Sequence, residues 1–205
     1  MAAAEVSRAA VPVLTPDQAR FFRCWWAESD PLLAAYHDEE WGTPIGDDRQ
    51  LFEMLSLEAF QAGLSWLIIL RKREAFRVAF RGFDPEVVAH FDELERARLM
   101  ADVGIVRNRA KIDATIGNAR ALLSLIEDEG SFHAYLRRQL PAAGPLPADA
   151  TPQSLPATTP DSDALSRNLK ERGFRFVGST IVYSFMEAVG LVDDHLPGCF
   201  RYVAG

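Results

Sequence analysis

Four residues near the two ends of the chain have side chains that bind transition metals. Cys24 and His37 lie near the start, and His195 and Cys199 lie near the end; they include both cysteines and two of the four histidines. Two thiolates and two imidazoles form a complete tetrahedral ligand set for structural zinc, and such an ion would join the two ends of the chain. Spacing alone specifies a metal only loosely, so the alternative is a remote cysteine pair, reduced or disulfide-bonded, with two unrelated histidines.

The second chemical feature is an acid within an apolar stretch. Glu58 lies in the segment 55–66, and at helical spacing its neighbours include Leu51, Met54 and Ala62. A buried acid is costly and is usually either paired or functional, so the alternative is a glutamate bonded to an arginine or to a backbone cap. The same region is rich in aromatic residues, namely Trp25, Trp26, Tyr36, Trp41 and Trp66. Each alone is typical of a core, but a carboxylate among them suits a flat, cationic ring.

Composition limits the kind of protein. The chain has 205 residues, of which 48% are hydrophobic, and this is enough for one core in one or two lobes. It contains no apolar run near the roughly 20 residues of a membrane span, no secretory signal, and too few cysteines for a disulfide scaffold. We therefore expect a cytoplasmic protein with no membrane contact. The net charge of −7 argues mildly against a nucleic-acid partner, although basic residues cluster locally, as at Arg107, Arg109 and Lys111.

The elements that position these residues are predicted to be helices. Asp47 or Asp48 begins one helix that ends at Gly63, Ser65 begins the next, and Asp84-Pro85 begins a third. Further helices are predicted over 92–102, 107–127, 162–171 and 179–190, with a tight turn at 103–105. Six of the twelve prolines lie in 141–160, which predicts a loop. Residues 1–22 are predicted to be a flexible extension of one domain over 23–205, and the predicted fold class is all-α.

Several long motifs follow one another in a characteristic order. They read RCWW from residue 23, DPLLAAYHDEEWG from 30, LEAFQAGLSW from 57, GIVRNRAKI from 104, SDALS from 162, RGFRFVG from 172 and GLVDDHLPGC from 190. Over about residues 22–200 the chain thereby resembles 3-methyladenine DNA glycosylase I, a divergent family of the helix-hairpin-helix glycosylase superfamily.

The resemblance implies an all-α, helix-hairpin-helix fold in which DNA lies across two helical lobes. Cys24, His37, His195 and Cys199 match the four zinc ligands of the family, which implies one structural Zn²⁺ that joins the N- and C-terminal segments. Residues 103–105 match the hairpin, whose backbone N–H groups and following helix N-terminus can hold a phosphate.

The resemblance also implies the residues of the base pocket. Glu58 matches the carboxylate that recognises the base, Tyr36 and Trp66 match the aromatic residues that sandwich the flipped base, and Trp26 matches a further tryptophan of the pocket wall. One position departs from the family pattern, because Leu33 stands where better-known members have a second tyrosine. This departure bears on base selectivity.

The implied DNA contacts lie in two turns. Gly63 and Leu64 match the segment that approaches the DNA, and Leu64 is the candidate to fill the gap left by the extruded nucleotide. The other predicted DNA-binding residues lie at and after the hairpin: Gly104, Arg107, Arg109 and Lys111.

The implied reaction is hydrolysis of the N-glycosyl bond of 3-methyladenine, which leaves an abasic site. Methylation at N3 makes the base a cationic leaving group, so little acid catalysis is needed once the base is flipped out. Glu58 is the candidate catalytic residue, through its charge. We name no catalytic aspartate after the hairpin, and no lysine lies at a recognisable nucleophile position. We therefore expect a monofunctional glycosylase that does not cleave the strand.

Two alternatives stay open at this stage. One is a zinc-stabilised DNA-binding relative that lacks catalysis, and the other is a glycosylase for a different alkylated purine. In each case the expected partner is double-stranded DNA containing alkylated bases, and the expected oligomeric state is a monomer.

Overall fold

The structure, a computed structural model, describes residues 22–140, 144 and 146–203. Within these residues every regular element is helical, which confirms the predicted all-α class. The helices are α1 (Pro31–Glu39), α2 (Asp48–Gln61), α3 (Trp66–Ala79), α4 (Pro85–Ala89), α5 (Glu93–Ala101), α6 (Arg109–Glu129), α7 (Phe132–Gln139), α8 (Pro160–Glu171) and α9 (Ser179–Ala188). Short 3-10 turns occupy Trp25–Ser29, Arg81–Phe83 and Pro152–Ser154. None of the described helices has the length and apolar character that a membrane crossing requires.

The predicted starts of three helices are confirmed, and each is capped by an aspartate. The Asp47 carboxylate accepts a hydrogen bond from the amide of Gln50 at 2.9 Å, at the start of α2. Asp84 caps α4 in the same way, with Pro85 as the first helical residue, and Asp92 caps α5. Because these caps satisfy amides that lack a partner in the first turn, the local sequence is sufficient to set these boundaries.

Other helices depart from the sequence prediction. α8 begins at Pro160 rather than Ser162, because Thr159 caps it in a reciprocal capping box. α6 begins at Arg109, two residues later than predicted, after a cap supplied by Asn108. α1 and α7 were not predicted. They have nine and eight residues, and apolar periodicity is a weak signal over two turns.

α2 runs through the centre of the core. It packs against α3, α6, α7 and α9, and every residue from Met54 to Phe60 is buried. Phenylalanine rings fill one side of it, and those of Phe80 and Phe83 are nearly parallel with centroids 5.3 Å apart. Close packing on all sides fixes the position of a helix, so the backbone of Glu58 is held rigidly.

The two ends of the described chain lie side by side. The amide of Phe200 donates a hydrogen bond to the carbonyl of Phe22 at 2.9 Å, and the turn Trp25–Ser29 packs on α1. This pairing brings Cys24 next to Cys199. Of the predicted N-terminal extension 1–22, only Phe22 belongs to the described residues. In the proline-rich segment, residues 146–159 have one 3-10 turn as their regular structure.

Candidate active site and metal centre

Cys24, His37, His195 and Cys199 come together in the folded chain. All four are buried, and their ligand atoms lie within 4.8 Å of one another. Cys199 Sγ is 3.3 Å from Nε2 of His37 and 3.7 Å from Nδ1 of His195, and Cys24 Sγ is 3.8 Å from the same Nδ1. Residues from opposite ends of the sequence thus form one cluster.

The spacing of these atoms fits a tetrahedral metal ion. With Zn–S near 2.3 Å and Zn–N near 2.0–2.1 Å, neighbouring ligand atoms of such a site lie roughly 3.5–3.8 Å apart. The three sulfur–nitrogen distances are close to this separation. Both cysteines are free rather than joined in a disulfide. The cluster could therefore hold a metal ion with all four ligands already in place.

Polar neighbours orient the imidazole of His37. Its Nδ1 lies 2.9 Å from the carboxylate of Asp38, which in turn accepts two-pronged hydrogen bonds from Arg23. The Arg23 guanidinium is the main reason that the pKa of Asp38 is lowered. A carboxylate on one ring nitrogen typically directs the other toward a metal. The amide of Cys24 donates to Nε2 of His37 at 3.3 Å.

A cavity of about 590 Å³ opens between α1, α2, α3 and α9. All four predicted base-pocket residues line it. Its full lining is Trp25, Trp26, Ser29, Leu33, Tyr36, Trp41, Glu58, Gln61, Ser65, Trp66, Leu67, Ser184 and Glu187. The lining combines five aromatic residues with six polar ones, and aromatic walls with placed polar groups are typical of sites for small planar ligands.

Glu58 is the buried acid of this cavity. Its side chain is 4% exposed, and it has neither an ion pair nor a hydrogen bond with any of the described side chains. Burial without a compensating cation raises the pKa of Glu58 to about 8. Among the described residues Glu58 is therefore not paired with an arginine, which was the alternative. A cation placed in the cavity would favour the ionised carboxylate.

The aromatic side chains form adjoining walls. The ring centroids of Tyr36 and Trp66 are 5.4 Å apart with planes inclined by 53°, and Trp26 lies 6.2 Å from Tyr36. A base held between two parallel rings requires them to be roughly 7 Å apart, which is twice the van der Waals spacing. In this conformation Tyr36 and Trp66 contact each other and leave no slot between them. The indole N–H of Trp66 is buried and has no hydrogen-bond partner among the described residues.

Trp41 connects the cavity with the metal cluster. Its ring stacks on His37 with centroids 6.0 Å apart and planes inclined by 23°, and it meets His195 edge-on at 4.6 Å. Trp26 packs against the other side of Trp41 at 5.1 Å. Because Trp41 also lines the cavity, the positions of the two imidazoles help to fix one cavity wall.

The turn between α2 and α3 lies at the rim of the cavity. Gly63 has a φ of +83°, in the left-handed region that favours glycine. The next residue, Leu64, is 38% exposed, and its amide donates to the carbonyl of Gln61 at 2.6 Å. A tight turn thus presents an apolar side chain to the outside of the molecule, next to the cavity residues Gln61 and Ser65.

The second turn lies between α5 and α6. The amide of Gly104 donates to the carboxylate of Asp102 at 2.7 Å. Arg107 is exposed, while the exposed Arg109 forms an ion pair with Glu93 at 2.9 Å. The guanidinium of Arg107 is therefore the freer of the two arginines that were predicted to contact DNA.

Lys111 is buried, unlike the other predicted DNA-binding residues. It is 7% exposed, and its ammonium donates to the carbonyls of Phe60 at 2.9 Å and Ala62 at 2.7 Å. Burial lowers the pKa of Lys111. Its side chain faces the end of α2 rather than solvent, so a direct contact with DNA requires the side chain to leave these two carbonyls.

The chain matches the methyladenine glycosylase family over residues 26–202. It is 49% identical over 180 residues to DNA-3-methyladenine glycosylase 1 of Escherichia coli K12, which covers 88% of this chain and 96% of that protein. The chain belongs to the methyladenine glycosylase family. A crystal structure of 3-methyladenine DNA glycosylase I matches this member of the family with a TM-score of 0.83, at 48% identity, over 89% of this chain and 100% of the other. The Staphylococcus aureus 3-methyladenine DNA glycosylase I, solved to explain 3-methyladenine recognition, matches with a TM-score of 0.79 at 35% identity, over 89% and 98% of the two chains.

Sequence reasoning missed two polar residues in the cavity of this methyladenine glycosylase. Ser184 and Glu187 project into it from α9. Burial, reinforced by the nearby Asp194 carboxylate, raises the pKa of Glu187 to about 9, and Asp194 also accepts a short hydrogen bond from Tyr183. The signal available in the sequence was a three-residue spacing of polar side chains on an otherwise apolar helix. It does not reveal which helix packs across the cavity from Glu58.

Proposed function

We propose that this protein is a DNA repair N-glycosylase that flips 3-methyladenine out of alkylated double-stranded DNA and removes it by hydrolysis. The observation that carries the proposal is the buried, unpaired Glu58 in an aromatic cavity, in a chain of the methyladenine glycosylase family. Relatives in Escherichia coli and Haemophilus influenzae are DNA-3-methyladenine glycosylases, and this supports the choice of base. The product is an abasic site in an intact strand.

Glu58 recognises the base and stabilises its charge. An ionised carboxylate accepts a hydrogen bond from the exocyclic amine of adenine, which guanine does not present at the same edge. Its negative charge favours the cationic methylated base over a neutral one, and a buried charge interacts more strongly than an exposed one. The free site carries a largely protonated Glu58, because its pKa is about 8. Binding of the cationic base therefore promotes release of the Glu58 proton to solvent. The N-glycosyl bond then breaks with its electrons going to the base, which departs neutral, and the water that adds to the sugar carbon loses a proton to solvent.

Tyr36, Trp66 and Trp26 provide the stacking surfaces. Rings of this kind attract a cationic base more strongly than a neutral one. Since Tyr36 and Trp66 are in contact in the free protein, a sandwich requires one of the two rings to move aside as the base enters. Tyr36 is 3% exposed, whereas Trp66 is only partly buried, so Trp66 is the ring that we expect to move.

DNA is held by the turn at the cavity rim and by the turn between α5 and α6, across two helical lobes. In this proposal α5, the turn at 103–105 and α6 form the helix-hairpin-helix, which grips a phosphate through backbone N–H groups. The amide of Gly104 joins them once it leaves the Asp102 carboxylate. Arg107 and Arg109 add positive charge beside the phosphate. Gly63 allows the close approach of the backbone, and Leu64 fills the gap left by the extruded nucleotide.

The Cys₂His₂ cluster holds one structural Zn²⁺ in this proposal. Cys24, His37, His195 and Cys199 supply a complete set of ligands, and a complete set leaves no open position for water or substrate. When bound, zinc supplies no chemistry to the reaction and joins the two terminal segments. The contact of Trp41 with both imidazoles supports an indirect role in shaping the cavity. Monomeric state and cytoplasmic location complete the proposal.

The proposal is tested by chromatography of the bases released from methylated duplex DNA. Wild-type protein should release 3-methyladenine, and Glu58→Gln should release it at least about tenfold more slowly, since removing a charge from a preorganised site typically costs that much or more. Glu39→Gln is the matched control, because Glu39 loses the same charge from an exposed position on α1. It should behave as wild type.

Other outcomes would identify a different function. Tight binding to abasic DNA without release of any base would indicate a DNA-binding relative that lacks catalysis. Release of another alkylated purine in place of 3-methyladenine would indicate a glycosylase of different specificity, and Leu33 would then be the first residue to examine. Full excision by Glu58→Gln would refute the electrostatic role of Glu58.

A further inference from the structure

Two lysines connect the turn at the rim of the cavity with the turn between α5 and α6. The chain contains three lysines, and two of them donate hydrogen bonds to main-chain carbonyls of a neighbouring turn. Lys111, in the first turn of α6, donates to Phe60 and Ala62 at the end of α2. Lys72, in α3, donates to Val103 and Gly104 in the turn before α6, at 3.0 Å each. Each lysine therefore reaches from one helix pair to the turn of the other.

The bonds of Lys111 are internal to the fold. Among the described residues it is the only buried lysine or arginine, and no carboxylate lies within ion-pair distance of its ammonium. Its partners are carbonyls at the C-terminal end of α2, where the helix leaves its last C=O groups without intrahelical partners and the helix dipole favours a cation. The buried ammonium of Lys111 gives hydrogen bonds to two carbonyls that the helix leaves unpaired, and it fixes these carbonyls relative to α6.

Both braced segments carry groups of the proposed site. Glu58 lies two residues before Phe60 on α2, and Gly63 and Leu64 follow Ala62 directly. Residues 103–105 are the proposed phosphate grip. The backbone amide of Lys111 is itself bonded to the Asn108 side chain that caps α6, so Lys111 is anchored at both ends of its side chain. The distance between the phosphate grip and the inserted residue thus depends on these two ammonium groups.

We propose that Lys72 and Lys111 are positioning residues that brace the turn 62–65 and the turn 102–106 against each other. The brace sets the separation between the phosphate grip and Leu64. The protein can therefore hold the DNA backbone at the distance that extrusion of the base requires. It rests on the proposed function, since that function assigns both turns to DNA. Neither lysine touches the base, so the brace acts on excision from duplex DNA and leaves the affinity of the cavity for the free base unchanged.

The test compares Lys72→Met and Lys111→Met with Lys170→Met, which removes an exposed lysine of α8 as a matched control. Methionine keeps the length of the side chain and removes the donors. Single-turnover excision of 3-methyladenine from duplex DNA should fall roughly tenfold to a hundredfold in each brace variant, the scale expected for small misplacements of a reacting group. The affinity for free 3-methyladenine, measured by tryptophan fluorescence, should stay within about twofold of wild type. In Lys170→Met both excision and free-base affinity should stay within the same limit.

A double variant separates a shared brace from two unrelated contacts. If both lysines hold the same pair of turns, Lys72→Met/Lys111→Met should lose less activity than the product of the two single losses. A loss in the double variant equal to the product of the two single losses would overturn the brace. So would wild-type excision in Lys111→Met, or a loss of free-base binding as large as the loss of excision. Should Lys111→Met fail to fold, Lys72→Met, which removes a more exposed contact of the same brace, carries the test with the same expectations. Wild-type protein that releases no base would refute the proposed function and the brace together, whereas an active wild type with unaffected variants would refute the brace alone.

Discussion

Replacing Glu58 by glutamine should stabilise the protein at and above neutral pH, although it should impair the reaction. In the folded protein the pKa of Glu58 is raised from 4.5 to about 8 by burial. At a pH between these two pKa values, Glu58 is protonated in the folded state and ionised in the unfolded state. Stability conferred by protonated Glu58 is therefore complete below about pH 4.5 and is lost as the pH rises toward 8. Glutamine does not titrate, so the variant escapes this loss.

The size of the effect follows from the two pKa values. Each pH unit between them is worth about 1.4 kcal/mol of unfolding free energy, so the loss in wild type approaches ~5 kcal/mol at pH 8 and is roughly 3 kcal/mol at pH 7. Solvent screens the Glu58 carboxylate very little, because Glu58 is 4% exposed. The total stability of a domain is about 5–15 kcal/mol, so a difference of this size is readily measured. It is the stability lost by keeping a buried carboxylate for a cationic base.

Urea unfolding of wild type and Glu58→Gln across about pH 5 to 8 measures the difference directly. The variant should gain stability relative to wild type by about 1.4 kcal/mol for each pH unit. Groups common to both proteins, including the metal cluster, cancel in the difference. Glu187 is the exception, because its pKa is partly raised by Glu58, so the comparison is repeated in a Glu187→Gln background. A stability difference that stays constant from pH 5 to 8 would refute the reasoning.

Three further predictions concern the same site. The kcat/KM of wild type for methylated DNA should rise about tenfold per pH unit up to about pH 8 and then level off, because the ionised Glu58 binds the cation; a profile just as steep in Glu58→Gln would exclude Glu58 as the titrating group. Cys199→Ser should lose the bound metal in native mass spectrometry and lower the Tm by about 10 °C or more, given the large folding free energy of structural zinc sites. An unchanged Tm would show that the cluster is not structural. Leu64→Ala should slow excision from duplex DNA about tenfold and affect single-stranded substrate much less, since only the duplex leaves a gap to fill; equal losses on both substrates would contradict this role.

Local sequence determined much of the architecture. Asp47, Asp84 and Asp92 cap their helices where a side-chain oxygen followed by an apolar pattern predicts a start, because capping is a contact between near neighbours in the chain. The two short helices and the start of α8 at Pro160 were missed, since two turns carry little periodicity and capping boxes compete with one another in a sequence rich in Ser, Thr and Asp. The composition of the metal cluster was also visible, because cysteines and histidines are few.

Only the tertiary structure decided what these residues face. Glu58 and Glu187 line one cavity although they are far apart in the sequence, and no local pattern encodes that approach. Lys111 stands in a basic segment and reads as a solvent-exposed cation, yet the packing of α6 on α2 buries it against two carbonyls. Residue types and spacing in the sequence specify which chemistry is available. Burial and long-range contacts set the pKa of each group and its partners, and these arise only when the helices pack.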